Sequence, residues 1–518
     1  MKTLLLLSCF FGLIGGLFGQ QPTFSWGPSQ ELSRDLPIKK LLASDTGSFF
    51  VLRSGKDDLG LPEDFQLEIF SLKSLERQSK IDLFLPKVEK QTVTYENLIW
   101  FNGQLWFFAS GYQKSAKRNR AYLYPITSKG IQQDLALDVG VIKAIGLKQR
   151  GAFRYATSPD SSLILFAGSE DLESSYSEEL SLRLLNASGQ LVIADTLELP
   201  HKRERFRLQE LKLGNRGEII ALGKVIDTDR GWSRGNPNFY FTLIVYEPKL
   251  KQLKEFKIDL PERSVSGVTA QLAENGDIVV TGFYSNLASN PTEVGGTFFL
   301  RLDSERRTLV GRHFQDLDNS VRLQLMNEKQ VARGKEPGNF YFRHVGLRNN
   351  GSVIMVAEQY YKREVCTTDP QTGTTNCNMH YYFNDLLLAA LDSTGKPEWN
   401  RAIFKSQYSI NDNGGPYGSY LFGLEPDQCW VVFNDHPKNE KLVQDRNGLR
   451  YMSNPRRSVV RAVFLTQEGM ESRALLFSNG NSDFTFAPQT FLNLSDSEMV
   501  IYGRGRKEFA FGRLRFDR

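Results

Sequence analysis

Apolar residues along this chain come in short runs, each opened by a polar turn, and the pattern recurs eight times. DTGS (45–48) precedes FFVL, NGQ (102–104) precedes LWFF, PDSS (159–162) precedes LILF, and NRGE (215–218) precedes IIAL. NGD (275–277) precedes IVV, NNGS (349–352) precedes VIMV, PDQ (426–428) precedes CWVVF, and SDSE (495–498) precedes MVIY. A run of four to six apolar residues after a Gly/Asn/Asp turn predicts a strand buried on both faces. The starts lie about 64 residues apart on average. Each unit has a second half: a strand such as FTLIVY (241–246), TFFLRL (297–302) or DLLLAAL (385–391). It ends in a tight turn such as NASG (186–189), DSTG (392–395) or TQEG (466–469), and a fourth strand such as EWNRAIF (398–404) follows. Gly, Asn and Asp supply the positive φ that hairpin turns need.

A four-stranded meander cannot bury both faces alone, so units of this kind stack radially. The expected fold is all-β: a β-propeller of eight four-stranded blades, with seven as the alternative. The last unit ends after its third strand, and TFSWGPSQEL (23–32) is the candidate for its fourth. That pairing would close the ring and remove two sheet edges. One helix is expected near 318–332, where DNS (318–320) offers a cap and Val321 and Leu325 share a face.

In such a meander the second-to-third and fourth-to-first connections share one face. On the sequence these are the long ones, at 53–65, 110–120, 223–238, 282–296, 358–384 and 434–458. Inserts confined to one face mark a binding face. Unusual chemistry concentrates in units six and seven. Glu358, Tyr360 and Tyr361 leave a strand, and His380, Tyr381 and Tyr382 enter the next. Asp412 and Tyr417 follow, then Asn434, Asp435 and His436. Aromatic faces beside fixed amides and carboxylates suit a protein or glycan ligand. The strings EQYY (358–361), YYFNDLLLAALD (381–392), NDNGGPYGSY (411–420) and VVFNDHPKN (431–439) resemble a family of exported proteins of Bacteroidota. The resemblance covers roughly 340–440. It implies export and brings no activity or catalytic residue.

Composition narrows the reading. Residues 1–19 have Lys2 and then an uncharged apolar run, which reads as a cleaved signal peptide, with 20–518 as a single domain. No later stretch reads as a membrane span. A net charge of +5 over 518 residues is close to neutral, so nucleic acid is not an expected partner. Cys366 and Cys377 flank a turn-rich loop and are expected to form a disulfide, while Cys429, in an apolar strand, reads as a buried thiol. Standard catalytic motifs are missing: no HExxH, no GxSxG, no phosphate-binding loop. His201, His380 and His436 lie in different units, so no metal and no cofactor are expected. DTDRG (227–231) and NDNG (411–414) resemble calcium loops but lack the distal glutamate, so they read as turns.

The expected function is a non-catalytic binding or scaffold protein of the cell envelope, periplasmic or at the cell surface. The alternative is a polysaccharide hydrolase or lyase using His436 and the carboxylates Glu358, Asp385, Asp412 and Asp435. Ligand identity and oligomeric state have no signature in the sequence.

Overall fold

A computed structural model describes residues 22–32, 36–44, 46–56, 62–171, 176–227, 238–258, 260, 262–286, 292–305, 307–441, 446 and 448–516. The expected signal peptide, including Cys9, lies outside these residues, as does 228–231 of the first calcium-like loop. Among the described residues the chain forms eight antiparallel sheets of four or five strands, each built on a meander of consecutive strands, plus one two-stranded ribbon. Sheet 1 runs from Ile38–Ala43 to Arg77–Leu83, sheet 2 from Thr94–Phe101 to Leu137–Lys143, and sheet 3 from Ala152–Thr157 to Leu191–Lys202. Sheet 4 runs from Phe206–Leu213 to Gln252–Ile258 and sheet 5 from Ser264–Leu272 to Leu309–Asp316. Sheet 6 runs from Phe340–Leu347 to Pro397–Ile403 and sheet 7 from Leu421–Leu424 to Glu471–Ser478. Sheet 8 holds Thr485–Asn493, Glu498–Arg504 and Glu508–Arg515, and Thr23–Trp26 pairs along its edge.

The solid apolar runs have a direct explanation. Consecutive residues of each second strand point to opposite faces, and each face is covered by a different neighbour. Phe107 packs between sheets 1 and 2, and Phe108 between sheets 2 and 3. Ile219 packs toward sheet 3 and Ile220 toward sheet 5. Val353 faces sheet 5 and Ile354 sheet 7. Val432 and Met499 join sheets 7 and 8. Phe49 and Val51 of sheet 1 pack on Phe509 and Phe511 of sheet 8, so the packing order returns to its start. Each such side chain contributes about 1.5–3 kcal/mol by leaving water. Polar staples tie the sheets at the short-turn end. Arg216 donates to the Ser304 carbonyl at 2.7 Å, Arg301 to that of Ser393 at 3.0 Å, and Arg401 to that of Gly469 at 2.9 Å. Arg513 of sheet 8 donates to the Leu72 carbonyl of sheet 1 in the same way.

The N-terminal strand registers Thr23 opposite Arg515 and Trp26 opposite Gly512. Glycine is required beneath the indole: a Cβ at Gly503 or Gly512 would lie 2.3 or 2.7 Å from its ring. The Trp26 Nε1–H donates to Ser482 Oγ at 2.9 Å, and Phe24 stacks on Phe477 with centroids 4.1 Å apart.

Several expected loops are strand. The 110–120 segment is a hairpin of Gln104–Gln113 and Arg118–Thr127, with only 114–117 as its turn. The 358–384 segment is the outer half of a long hairpin, Val353–Thr368 paired with Thr375–Leu391. A turn signal marks where a chain reverses, but polar residues in an extended hairpin satisfy their backbone just as well. The expected helix is two: α1 (Asn319–Leu325), with Val321 and Leu325 buried, and α2 (Glu328–Ala332). Asn327 interrupts them by capping α2, accepting from the Gln330 amide while the Gln330 side chain accepts from its own. Among the described residues no helix is long and apolar enough to cross a membrane.

Candidate functional site

The long hairpin of sheet 6 carries the site. Cys366 and Cys377 sit directly opposite each other near its tip and form the expected disulfide. A short strand, Gln407–Ile410, adds to its other edge. Across these three strands Tyr361, Tyr382 and Tyr408 fall in one row. Their rings lie 4.6 and 5.2 Å apart in sequence, a ladder about 10 Å long, and Tyr451 packs edgewise at about 6 Å from the last two. Beside this row stands a second: Arg363, His380 and Ile410. The Tyr408 hydroxyl and His380 Nδ1 are hydrogen-bonded at 2.6 Å. Burial, then the neighbouring Tyr451, raises the Tyr361 phenol, and burial raises that of Tyr408, so the hydroxyls stay protonated as donors.

Strand alternation divides the expected tyrosines. Tyr361 and Tyr382 are half-buried on the front, whereas Tyr360, Tyr381 and Phe383 face the back. The back is covered by the 411–420 segment. Tyr381 donates to Asn413 Oδ1 at 3.2 Å, and Phe383 lies against Gly414 and Gly418, where a Cβ would come within 2.9 and 2.7 Å of its ring. Asp412 organises that segment as a turn, accepting from Ser409 Oγ and the Gly414 amide at 2.8 and 3.0 Å.

Glu358 and Asn434 have no exposed surface, which corrects their assignment as ligand contacts. Glu358 accepts from Lys405 Nζ at 2.9 Å and Ser419 Oγ at 2.9 Å, with Arg343 Nε at 3.5 Å. The Lys405 ammonium, fully buried, also donates to the Phe383 carbonyl at 3.0 Å and Gln407 Oε1 at 3.1 Å, so all three N–H groups are used. Burial lowers the Lys405 pKa, against the pull of Glu358. Gln407 donates to the Asn434 carbonyl at 2.8 Å, and Asn434 Nδ2 donates to the carbonyls of Tyr417 and Phe486 at 2.9 and 2.8 Å. A satisfied polar spine thus runs from sheet 6 through sheet 7 to sheet 8. Asp435, also buried, pairs with Arg461 at 3.1 Å and accepts from Asn439 at 2.7 Å. Asn439 in turn holds both backbone groups of Arg450 at 2.9 Å, which sets the neighbouring Tyr451. Asp385 lies 3.2 Å from Arg446, yet burial prevails and raises its pKa.

His436 accepts from the Lys438 amide at 3.1 Å, and His201 pairs with Glu255 at 2.5 Å. His201, His380 and His436 do not come together: among the described residues the one group with metal-ligand spacing is Glu364 with the two disulfide cysteines. Arg203 is held between two acids, Glu170 at 2.9 Å and Glu178 at 3.1 Å. Sequence reasoning missed Tyr408, Tyr451, Arg363 and Arg446. Tyr408 alternates with Gln407 and Ser409 in a stretch too short to read as a strand, and Tyr451 follows a connection without pattern.

No protein-family model matches the chain, and no curated protein matches it in sequence. Among solved structures it is similar to the β-propeller domain of the Trilobed protease from Pyrococcus furiosus, at 10% identity over 87% of this chain and 100% of that one, with a TM-score of 0.37. It is also similar to an ulvan lyase, a polysaccharide lyase, at 8% identity over 88% and 96%, with a TM-score of 0.37. An acylaminoacyl peptidase from Pyrococcus horikoshii is similar at 10% identity over 91% of this chain and 58% of that one, with a TM-score of 0.36.

Proposed function

We propose that the protein is an exported, eight-bladed β-propeller, closed by its N-terminal strand, that holds a glycan without catalysing its cleavage. The return of the core packing from sheet 8 to sheet 1 supports the closed ring, and the disulfide supports an oxidising compartment. The observation that carries the ligand class is the front row of Tyr361, Tyr382 and Tyr408. Tyr361 and Tyr382 stack on each other and Tyr408 tilts against Tyr382, so the row offers ring edges and hydroxyls with His380 beside them, a mixed apolar and polar surface of the kind that suits a sugar. The hydrolase or lyase alternative loses support from its own residues. Glu358, Asp385 and Asp435 are buried in ion pairs and Asp412 is a turn former.

A glycan array or pull-down tests this with two variants. Tyr382→Ala removes the centre of the ladder and is expected to abolish capture. Tyr381→Phe removes only a hydroxyl on the back and is expected to leave capture unchanged. Equal capture by wild type and Tyr382→Ala refutes the platform. Turnover across a glycan panel that disappears in Asp435→Asn and His436→Ala favours the enzyme reading instead.

A further inference from the structure

We infer that the ligand is a linear oligosaccharide bound along its length, one end on the tyrosine row and the rest in a groove between the helical insert and sheet 6. This rests on the tyrosine face being a glycan site. The groove has a volume of about 590 Å³. One wall is α1 with the turn into α2, and the other is Phe404, directly after Pro397–Ile403, with Arg446. Leu325 and Phe404 form an apolar strip that continues to the exposed Leu323 at the lip. Asn327 and Gln330 are occupied by the cap of α2, but the side chains of Ser320 and Gln324 have no partner among the described residues. An apolar strip edged by a free hydroxyl and a free amide suits a sugar chain, as the row does. One acid, Glu328, and one base, Arg446, leave the lining balanced in charge.

Arg446 joins the groove to the row. Its Nη1 donates to the Leu325 carbonyl at 3.0 Å, and its Nη2 to Gln359 Oε1 at 3.4 Å, two residues before Tyr361. Its Nε lies 3.2 Å from Asp385. The junction holds acceptors that the protein leaves unused. Asn384, two residues inward of Tyr382, is buried and hydrogen-bonded to the Tyr361 phenol, yet its Oδ1 receives no donor. Asp385 Oδ1 accepts from the Lys405 amide at 3.3 Å, whereas Oδ2 receives no hydrogen bond. A buried acceptor without a donor is costly, so such groups call for a partner. Arg446, which covers Asp385, is itself exposed. A movement of that one surface side chain opens the junction to the hydroxyls of a chain crossing from row to groove.

The test is isothermal titration of the whole chain with a short and a long member of three neutral series: xylobiose and xylohexaose, laminaribiose and laminarihexaose, cellobiose and cellohexaose. In a series that binds, the hexasaccharide is expected to bind roughly a hundredfold tighter than the disaccharide, beyond the gain from its greater number of binding frames. Gln324→Trp fills the groove and is expected to cut that gain to roughly tenfold or less. Gln324 is exposed, so an unchanged melting temperature is expected. If the melting temperature falls, Leu323→Ala, a smaller change at the lip, reads the same loss of gain. Equal affinity for the two lengths, or the same gain in wild type and both variants, overturns the inference and spares the tyrosine face. Binding of no member of any series by the wild type overturns the reading of the tyrosine face itself, and the inference with it.

Discussion

Replacing Lys405 by Met tests the polar spine beneath the site. The methionine fills the same volume but leaves Glu358, which has no exposed surface, with only Ser419 and a 3.5 Å approach from Arg343. It also strands the Phe383 carbonyl and Gln407 Oε1. Removing one member of a buried pair costs about 3–5 kcal/mol, because the remaining charge keeps its desolvation penalty without its compensation. The two orphaned acceptors place the loss toward the upper end of that range. Replacing both members, Glu358→Leu with Lys405→Met, removes the desolvation penalty as well, so the double variant is expected to be more stable than Lys405→Met by about 2 kcal/mol or more. Urea unfolding followed by tryptophan fluorescence reads global stability, and hydrogen exchange in Pro397–Ile403 reads the sheet itself. A loss below about 1 kcal/mol for Lys405→Met, or a double variant whose loss equals the sum of the single losses, refutes the reasoning.

Further expectations follow from the same structure. Gly503→Ala places a methyl within 2.3 Å of the Trp26 ring, so the N-terminal strand should detach and amide exchange in Thr23–Trp26 should rise, with a loss of about 1–3 kcal/mol; unchanged exchange argues against closure by this strand. Cys429 is fully buried and its thiol is pushed up to about 12 by burial, so native protein at pH 8 should resist iodoacetamide until urea is added, as mass spectrometry can check. Glu96 has its pKa raised by burial, against hydrogen bonds from Ser110 and Arg150. A carboxyl raised on folding contributes stability that is present below its unfolded value and lost as pH rises through the folded one. Glu96→Gln should therefore raise the melting temperature more at pH 7 than at pH 4, and the reverse order would show that Arg150 outweighs burial. Reducing Cys366–Cys377 should increase exchange within 362–381 and leave the eight-sheet core unchanged; a shift in the core would mean the hairpin contributes to global stability.

Much of the architecture was legible because its causes are local. NGD (275–277) and NRGE (215–218) turn the chain through residues tolerating positive φ, and Ile219–Ile220 is apolar at consecutive positions because two neighbours need it. The pairing of Thr23–Trp26 with the last strand was legible from a missing fourth strand. The disulfide was legible from two cysteines flanking a turn-rich loop. The site was legible only as a neighbourhood. Tyr360-Tyr361 and Tyr381-Tyr382 are adjacent pairs, and alternation says that one of each lies on the front face without saying which. A register shift sets Glu358 and Tyr360 opposite Leu386 and Phe383, which puts an extra residue in the second strand and resets its alternation, so counting back from Leu388 assigns Tyr381 and Tyr382 to the wrong faces.

The amino-acid sequence by itself determined the repeat, the meander of each unit and the Cys366–Cys377 crosslink, but not the cap of the helical insert, which falls at Asn327 and not at 318–320. These depend on turn chemistry and on side-chain period, which act over a few residues. Tertiary structure alone decided that Glu358, Asn434 and Asp435 are buried supports, that Tyr408 and Tyr451 complete a ladder begun by Tyr361 and Tyr382, and that Arg363 stands at its margin. Those outcomes depend on the register between strands and on which connection folds over which sheet. Both are set by packing free energy shared among distant segments, and no window of the chain contains it.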